Sequence, residues 1–137
     1  AVIWGLHEEG HPFFTEQEHR WIDEYFLPTY LEAQPFLQKG VPYVKKPAFG
    51  REGDTVEIFN ENGELTDANQ QQSYTACIPV YQQYIEHPTR SFHSEKGLQQ
   101  GSLLVGSFLL NGKPAAIGYR VGGRITNNLS YYLPVGL

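Results

Sequence analysis

Residues 43–58 read YVKKPAFGREGDTVEI. The segment 41–46, VPYVKK, is short, rich in β-formers and bounded by Gly40 and Pro47, which predicts a strand. Beyond the glycine loop PAFGREG, the stretch 54–60 (DTVEIFN) alternates. Val56 and Ile58 fall on one face, and Thr55, Glu57 and Phe59 on the other. The turn ENGE follows, and the loop and strands predict a hairpin. A lysine at a strand end presents one fixed positive charge to a polyphosphate. Gly50 and Gly53 let backbone N–H groups approach phosphate oxygens, because no Cβ stands in the way. Arg51 adds a planar donor fork between them. The same spacing also describes an ordinary hairpin with a solvated lysine pair. It is neither a Walker A loop nor a dinucleotide fingerprint.

Upstream of this stretch the periodicity is helical. Thr15 and Glu18 have capping-box spacing, and Trp21, Ile22, Tyr25 and Phe26 recur at helical intervals. A helix is expected from Glu16 to Phe26, ending before Pro28, with its aromatic stripe in the core. Downstream, 66–75 and 87–101 read as polar connections. CIPVYQQYIE (77–86) reads as a strand, and SLLVGSFLL, NGK and PAAIGYRV as a meander. The final ITNNLSYYLPVGL reads as irregular or a short strand. Residues 41–59 and 76–121 are expected to share an antiparallel sheet. The fold class is α+β, an antiparallel sheet with one or two helices, in a single domain spanning 1–137.

Composition narrows the function classes. The 137 residues hold 40% hydrophobic side chains and carry a formal net charge of -5. That is enough apolar matter for one core, with no basic stripe for nucleic acid. No apolar run approaches the roughly 20 residues of a membrane-spanning helix. The start, AVIWGLHEEG, lacks the marks of a signal peptide, and the sequence contains no Met. A lone cysteine, Cys77, fits a reducing compartment and reads as a small buried hydrophobe. The expected location is cytoplasmic.

Further stretches bear on chemistry. Gln82, Gln83, Tyr84 and Ile85 end a strand with the apolar surface and backbone edge that a nucleobase needs; a plain core strand looks the same. Arg120 is the one charged side chain between Pro114 and Val121. A buried strand arginine needs an anion, either a structural carboxylate or a reacting phosphoryl group. His7 and His11 are four apart, but Gly10 and Pro12 disfavour a helix there and no zinc-spaced partner follows. No G-x-S-x-G elbow occurs.

Taken in order, YVKKPAFGREGDTVEI, SYTACIPVYQQYIEHP and LLVGSFLLNGKPAAIGYRVGGRITNNLSYYLP resemble the C-terminal, ATP-grasp region of the glutathionylspermidine synthase family. WGLHEEGHPFF and WIDEYFLPTYLE extend the likeness over nearly the whole chain. The resemblance implies that the chain is part of an ATP-grasp fold. It also implies an ATP-dependent carboxylate–amine ligase, which activates a carboxylate as an acyl phosphate and then joins it to an amine. Glutathione and a polyamine are the family's substrates. The implied cofactors are ATP and Mg. By resemblance, Lys46 reaches the nucleotide phosphates, and Gly50, Arg51 and Gly53 cover them. Gln82, Gln83, Tyr84 and Ile85 line the adenine, Ile125 and Thr126 form a second nucleotide-contacting segment, and Arg120 is catalytic, stabilising the transferring phosphoryl group. Lys45 is the weaker member of its pair, since strand neighbours point to opposite faces. The family's Mg ligands and much of its glutathione surface lie N-terminal to this region. Residues 1–137 are therefore expected to be an incomplete ligase with no metal ligands of its own. A nucleotide-binding or regulatory module without catalysis is the alternative.

Overall fold

The structure is a computed structural model and describes residues 1–136. It is α+β, with three short helices and two antiparallel sheets. The chain divides into two compact units: 1–50 with 54–85, and 51–53 with 86–137.

In the first unit, helix α1 spans Val2–Glu8, α2 Glu16–Tyr25 and α3 Gln34–Lys39. The α2 cap is the one expected from its sequence. Thr15 Oγ1 accepts from the Glu18 backbone N–H at 3.3 Å, and the Glu18 carboxylate accepts from the Thr15 N–H at 2.8 Å. Phe26 leaves the helix with extended dihedrals, two residues before Pro28, which has no N–H to continue the helix. Thr15→Ala is expected to cost about 1 kcal/mol, read as a shift in the urea midpoint, while Thr15→Ser retains most of the stability. The aromatic stripe, however, is not core. Of Trp21, Ile22, Tyr25 and Phe26, only Ile22 is buried.

Helices α1 and α3 exceed the expected one or two. Each is too short to display a period. Helix α3 has Pro35 in its first turn and ends at Gly40, whose φ of 61° is left-handed. This is the usual asymmetry of Pro at a helix start and Gly just past its end.

The single expected sheet is two sheets. The first takes β1 (Thr29–Tyr30), β2 (Tyr43–Pro47), β3 (Glu57–Phe59), β4 (Leu65–Ala68) and β5 (Pro79–Gln83) in the order β1-β5-β2-β3-β4. Strand β4 runs from Leu65 into the stretch 66–75 that was expected to be a polar connection. It is a sheet edge, where backbone pairing to β3 rather than side-chain burial specifies the strand. The packing centre of this unit is aromatic. The Tyr43 ring stacks on Phe36 at 5.5 Å and on Phe59 at 5.0 Å, and Ile58 is buried beside it in sequence.

The second sheet is β6 (Thr89–Ser94), β7 (Gly97–Leu110), β8 (Lys113–Gly122) and β9 (Tyr131–Leu133), each paired with the next. Residues 87–101, read as a connection, thus hold β6 and the start of β7. Five of the six β6 side chains are not buried, and only Phe92 points inward, so the apolar alternation that announces a strand is missing. The β7–β8 turn is Asn111-Gly112, both with positive φ (50° and 73°), as a tight hairpin turn requires. Phe92 and Val121 are the buried apolar side chains of this unit among the described residues.

Candidate functional site

Strand β2 sends its two lysines to different partners. Lys45 Nζ donates to Glu57 Oε2 at 2.8 Å on the neighbouring β3. The hydrogen bond to Glu57 raises the Lys45 pKa. Lys46 Nζ donates to Gln82 Oε1 at 2.7 Å on β5. Burial alone lowers its pKa, since its bonded partner is a neutral amide. Residues 36 apart in sequence therefore meet because β2 and β5 pair antiparallel, Val44 opposite Gln82.

Lys46 lines two clefts. One, of 400 Å³, is bounded by Trp4, Phe26, Leu27, Thr29 and Gln82. The other, of 280 Å³, is bounded by Thr55, Glu57, Tyr74, Cys77 and Pro79. Cys77 is half-buried, a correction to its expected place in the core.

The Lys46 shift has a consequence for stability. Its pKa in the folded chain lies below the unfolded value, so the unfolded state binds more protons between the two, and stability rises with pH there. A Lys46→Met variant has no such slope. The stability difference, wild type minus Lys46→Met, is expected to move in favour of the wild type as pH rises through the lowered pKa towards 10.5. Urea melts at stepped alkaline pH measure this; parallel curves would contradict a half-buried, charged lysine.

The glycine loop follows β2. A Cβ at Gly50 would stand 2.5 Å from Pro47 Cγ, so that position requires glycine. Gly53 has φ 72°, and Glu52 and Thr55 also take positive φ, a costly state for residues with side chains. Its downstream end is fastened by Asp54 and Thr55, both buried. Asp54 Oδ1 accepts from the Ser73 N–H at 2.9 Å, and Thr55 Oγ1 from the Tyr74 N–H at 2.9 Å. The Thr55 N–H donates to Gln71 O. This anchor was not legible in the sequence, because Asp54 and Thr55 look like surface residues and their partners are backbone atoms 19 positions away. Arg51 is exposed.

Around Gln82 the backbone donors are committed to the fold. The Gln83 N–H bonds Pro28 O at 3.0 Å and the Tyr84 N–H bonds Pro42 O at 2.9 Å. Gln82 Nε2 donates to Thr29 Oγ1 at 2.9 Å, which orients the amide so that its oxygen faces Lys46. Ile85 is exposed.

In the second unit, Arg120 sits mid-way in the pairing between β8 and β9, opposite Tyr132. Its Nη2 donates to Asn127 O, the guanidinium lies 5.2 Å from the Tyr132 ring centre, and its buried Nε has no partner. Among the described residues no carboxylate pairs with it. Ile125 and Thr126, half-buried, immediately precede Asn127 in the β8–β9 loop. That loop closes on itself through Asn127 N–H to Ser130 Oγ at 3.2 Å. Gly122 permits the approach, since a Cβ there would stand 2.6 Å from Ser130 Oγ.

Among the described residues no three His, Cys, Asp or Glu side chains are grouped to hold a metal ion. His7 and His11 do not converge on one. Instead His7 bonds to His19 and Asp23. No helix is long and apolar enough to cross a membrane.

These features define an α+β chain with two antiparallel sheets, one with a half-buried strand lysine beside a cleft and the other with an arginine holding the β8–β9 loop. The family model for the glutathionylspermidine synthase preATP-grasp region matches residues 1–137, and the chain belongs to that family.

Proposed function

We propose that the chain is part of an ATP-dependent carboxylate–amine ligase of the glutathionylspermidine synthase type, and that its residues belong to the ATP-grasp nucleotide site. One observation carries the reading. Lys46 is a desolvated cation bonded to a neutral amide and bordering open clefts. A polyphosphate supplies the anion that such a charge lacks. The nucleotide thus fits the residues present. A magnesium site does not fit them, because Glu57 is engaged by Lys45 and Asp54 by Ser73, which leaves Glu52 as a single exposed carboxylate in the loop, and no three such side chains are grouped among the described residues. Magnesium needs converging oxygen ligands, so no step is assigned to it here.

On this reading Lys46 holds the phosphates, and Gln82 keeps its amine aimed. Gly50, Arg51 and Gly53 cover the phosphates with backbone N–H groups and a guanidinium. Gln83, Tyr84 and Ile85 contact the base through side chains and carbonyls, since two of their N–H groups are spent. Ile125 and Thr126 sit on the loop that Arg120 holds, and Arg120 spreads the charge of phosphoryl transfer. The substrates are a carboxylate and an amine, glutathione and a polyamine in the family's pattern, and the location is cytoplasmic. Binding without catalysis is the competing reading.

Isothermal titration with ATP and magnesium, alongside a phosphate-release assay, tests the proposal. Residues 1–137 are expected to bind weakly and release no phosphate. In the encoded full-length protein Lys46→Ala should weaken ATP binding about 10- to 100-fold, the value of a hydrogen bond to a charged group. Unchanged affinity would remove Lys46 from the site. Full-length binding with no phosphate release on any acid and amine pair would favour the non-catalytic module.

A further inference from the structure

The two clefts that Lys46 borders are not equivalent, and strand parity separates them. Opposite residues of paired strands share a face, as do residues two apart on one strand. Thr29 and Val44 both lie opposite Gln82, and Lys46 is two residues beyond Val44. Thr29, Gln82 and Lys46 therefore project from one face of the first sheet, which is why the Gln82 amide bonds both of the others. Lys45 projects from the opposite face, with Glu57 beside it. Lys45 and Glu57 line the 280 Å³ cleft, so that cleft holds a cation already matched by a carboxylate at 2.8 Å. Thr29 and Gln82 line the 400 Å³ cleft, so the Lys46 ammonium is directed there.

The lining of the larger cleft fixes the chemistry it can receive. Lys46 is its one charged side chain, and no Asp or Glu lines it among the described residues, in a chain of net charge -5. The rest of its wall is mainly apolar, with Trp4 from α1 and Phe26 and Leu27 from the link between α2 and β1. Trp4 Nε1–H donates to Tyr30 Oη at 3.2 Å, and Tyr30 Oη–H donates to Glu8 Oε1 at 2.6 Å. These bonds hold the indole by its edge and leave its faces for packing. Phe26 is 48% exposed at this concave, acid-free surface. Size points the same way, since ligand pockets usually span about 300–1,000 Å³; 400 Å³ falls inside that range and 280 Å³ below it. One unmatched cation beside aromatic walls suits a flat ring that carries an anionic group.

We propose, resting on the nucleotide reading above, that the 400 Å³ cleft and not its neighbour receives the nucleotide, and that Trp4 and Phe26 contact the base. Lys46 then holds the phosphates, while the two aromatic side chains supply affinity for the ring. Stacking of this kind tolerates any base. Helix α1 becomes part of the ligand site, and its apolar side chains, none of them buried, are covered by ligand rather than by the core.

Titration of the encoded full-length protein with ATP and with inorganic triphosphate tests the assignment, because the second probe has the phosphates without the base. Trp4→Ala and Phe26→Ala are each expected to weaken ATP roughly tenfold or more while leaving triphosphate within about twofold. Trp4→Phe keeps a ring and most of the affinity, and Lys46→Ala weakens both probes. Tyr30→Phe removes the hydrogen bonds that orient Trp4 but no wall of the cleft, so ATP affinity is expected to hold. Photolabelling of the wild type with 8-azido-ATP needs no variant, and label is expected on residues 1–4 or 26–29. The assignment is overturned by unchanged ATP affinity in both alanine variants, or by an equal loss of triphosphate affinity. A Tyr30→Phe loss as large as that of Trp4→Ala, or label absent from both segments, would also end it. ATP binding that needs Lys46 but neither Trp4 nor Phe26 leaves the nucleotide reading standing alone, whereas a full-length protein that binds no ATP ends both.

Discussion

If the protein catalyses the ligation proposed above, replacing Arg120 with alanine in the full-length protein should lower turnover about 100- to 1000-fold, the usual loss when a donor to developing charge is removed. ATP affinity should stay within a few-fold. The reason is that the proposed contact strengthens only as the phosphoryl group moves, so its removal is felt in kcat rather than in ground-state binding. The structure adds a second role that must be separated. Arg120 also donates to Asn127 O and packs on Tyr132, so alanine will loosen the loop carrying Ile125 and Thr126. Arg120→Lys tests the difference, because it keeps the charge and one donor but loses the planar fork. If Arg120 only anchors the loop, ATP affinity and turnover will fall together, and exchange at 123–130 will account for both. Normal turnover in Arg120→Ala would end the catalytic assignment.

Ile58→Ala is expected to destabilise the chain by about 2–5 kcal/mol, since removing a large buried aliphatic loses transfer energy and leaves a cavity. Ile58 is 2% exposed on the central part of the first sheet, opposite Val44 on β2 and Asp67 on β4. It follows Glu57, which holds Lys45, and precedes Phe59, which stacks on Tyr43. Collapse around a missing Ile58 would therefore disturb the strand that carries both lysines. Ile58→Val, which removes one methylene, should cost only about 1 kcal/mol. Urea denaturation reads both. A small loss in Ile58→Ala would mean that the unit's stability lies in the aromatic stack alone.

What the sequence by itself determined is local. The α2 cap was visible because Thr15 and Glu18 satisfy each other within one turn. The Asn111-Gly112 turn was visible because few residues tolerate two consecutive positive φ values. The strand around Lys46 and the alternation at Ile58 were visible because burial on one face leaves a period of two. The opposite fates of Lys45 and Lys46 followed from the same alternation. The tertiary structure decided everything that depended on which strands pair. Polar strands β4 and β6 are specified by backbone ladders with their neighbours, which leave no apolar pattern to read. The division into two sheets was equally hidden, as was the exposure of Trp21 and Tyr25 on a helix that looked aromatic and buried. Among the candidate site residues, only the antiparallel pairing of β2 with β5 brings Gln82 to Lys46. Only the meeting of α1 with α2 brings His7 to His19 rather than to His11, its nearer neighbour in sequence. Spacing along the chain reports the period of one element. Contacts between elements are fixed by packing and backbone pairing, which no single stretch records.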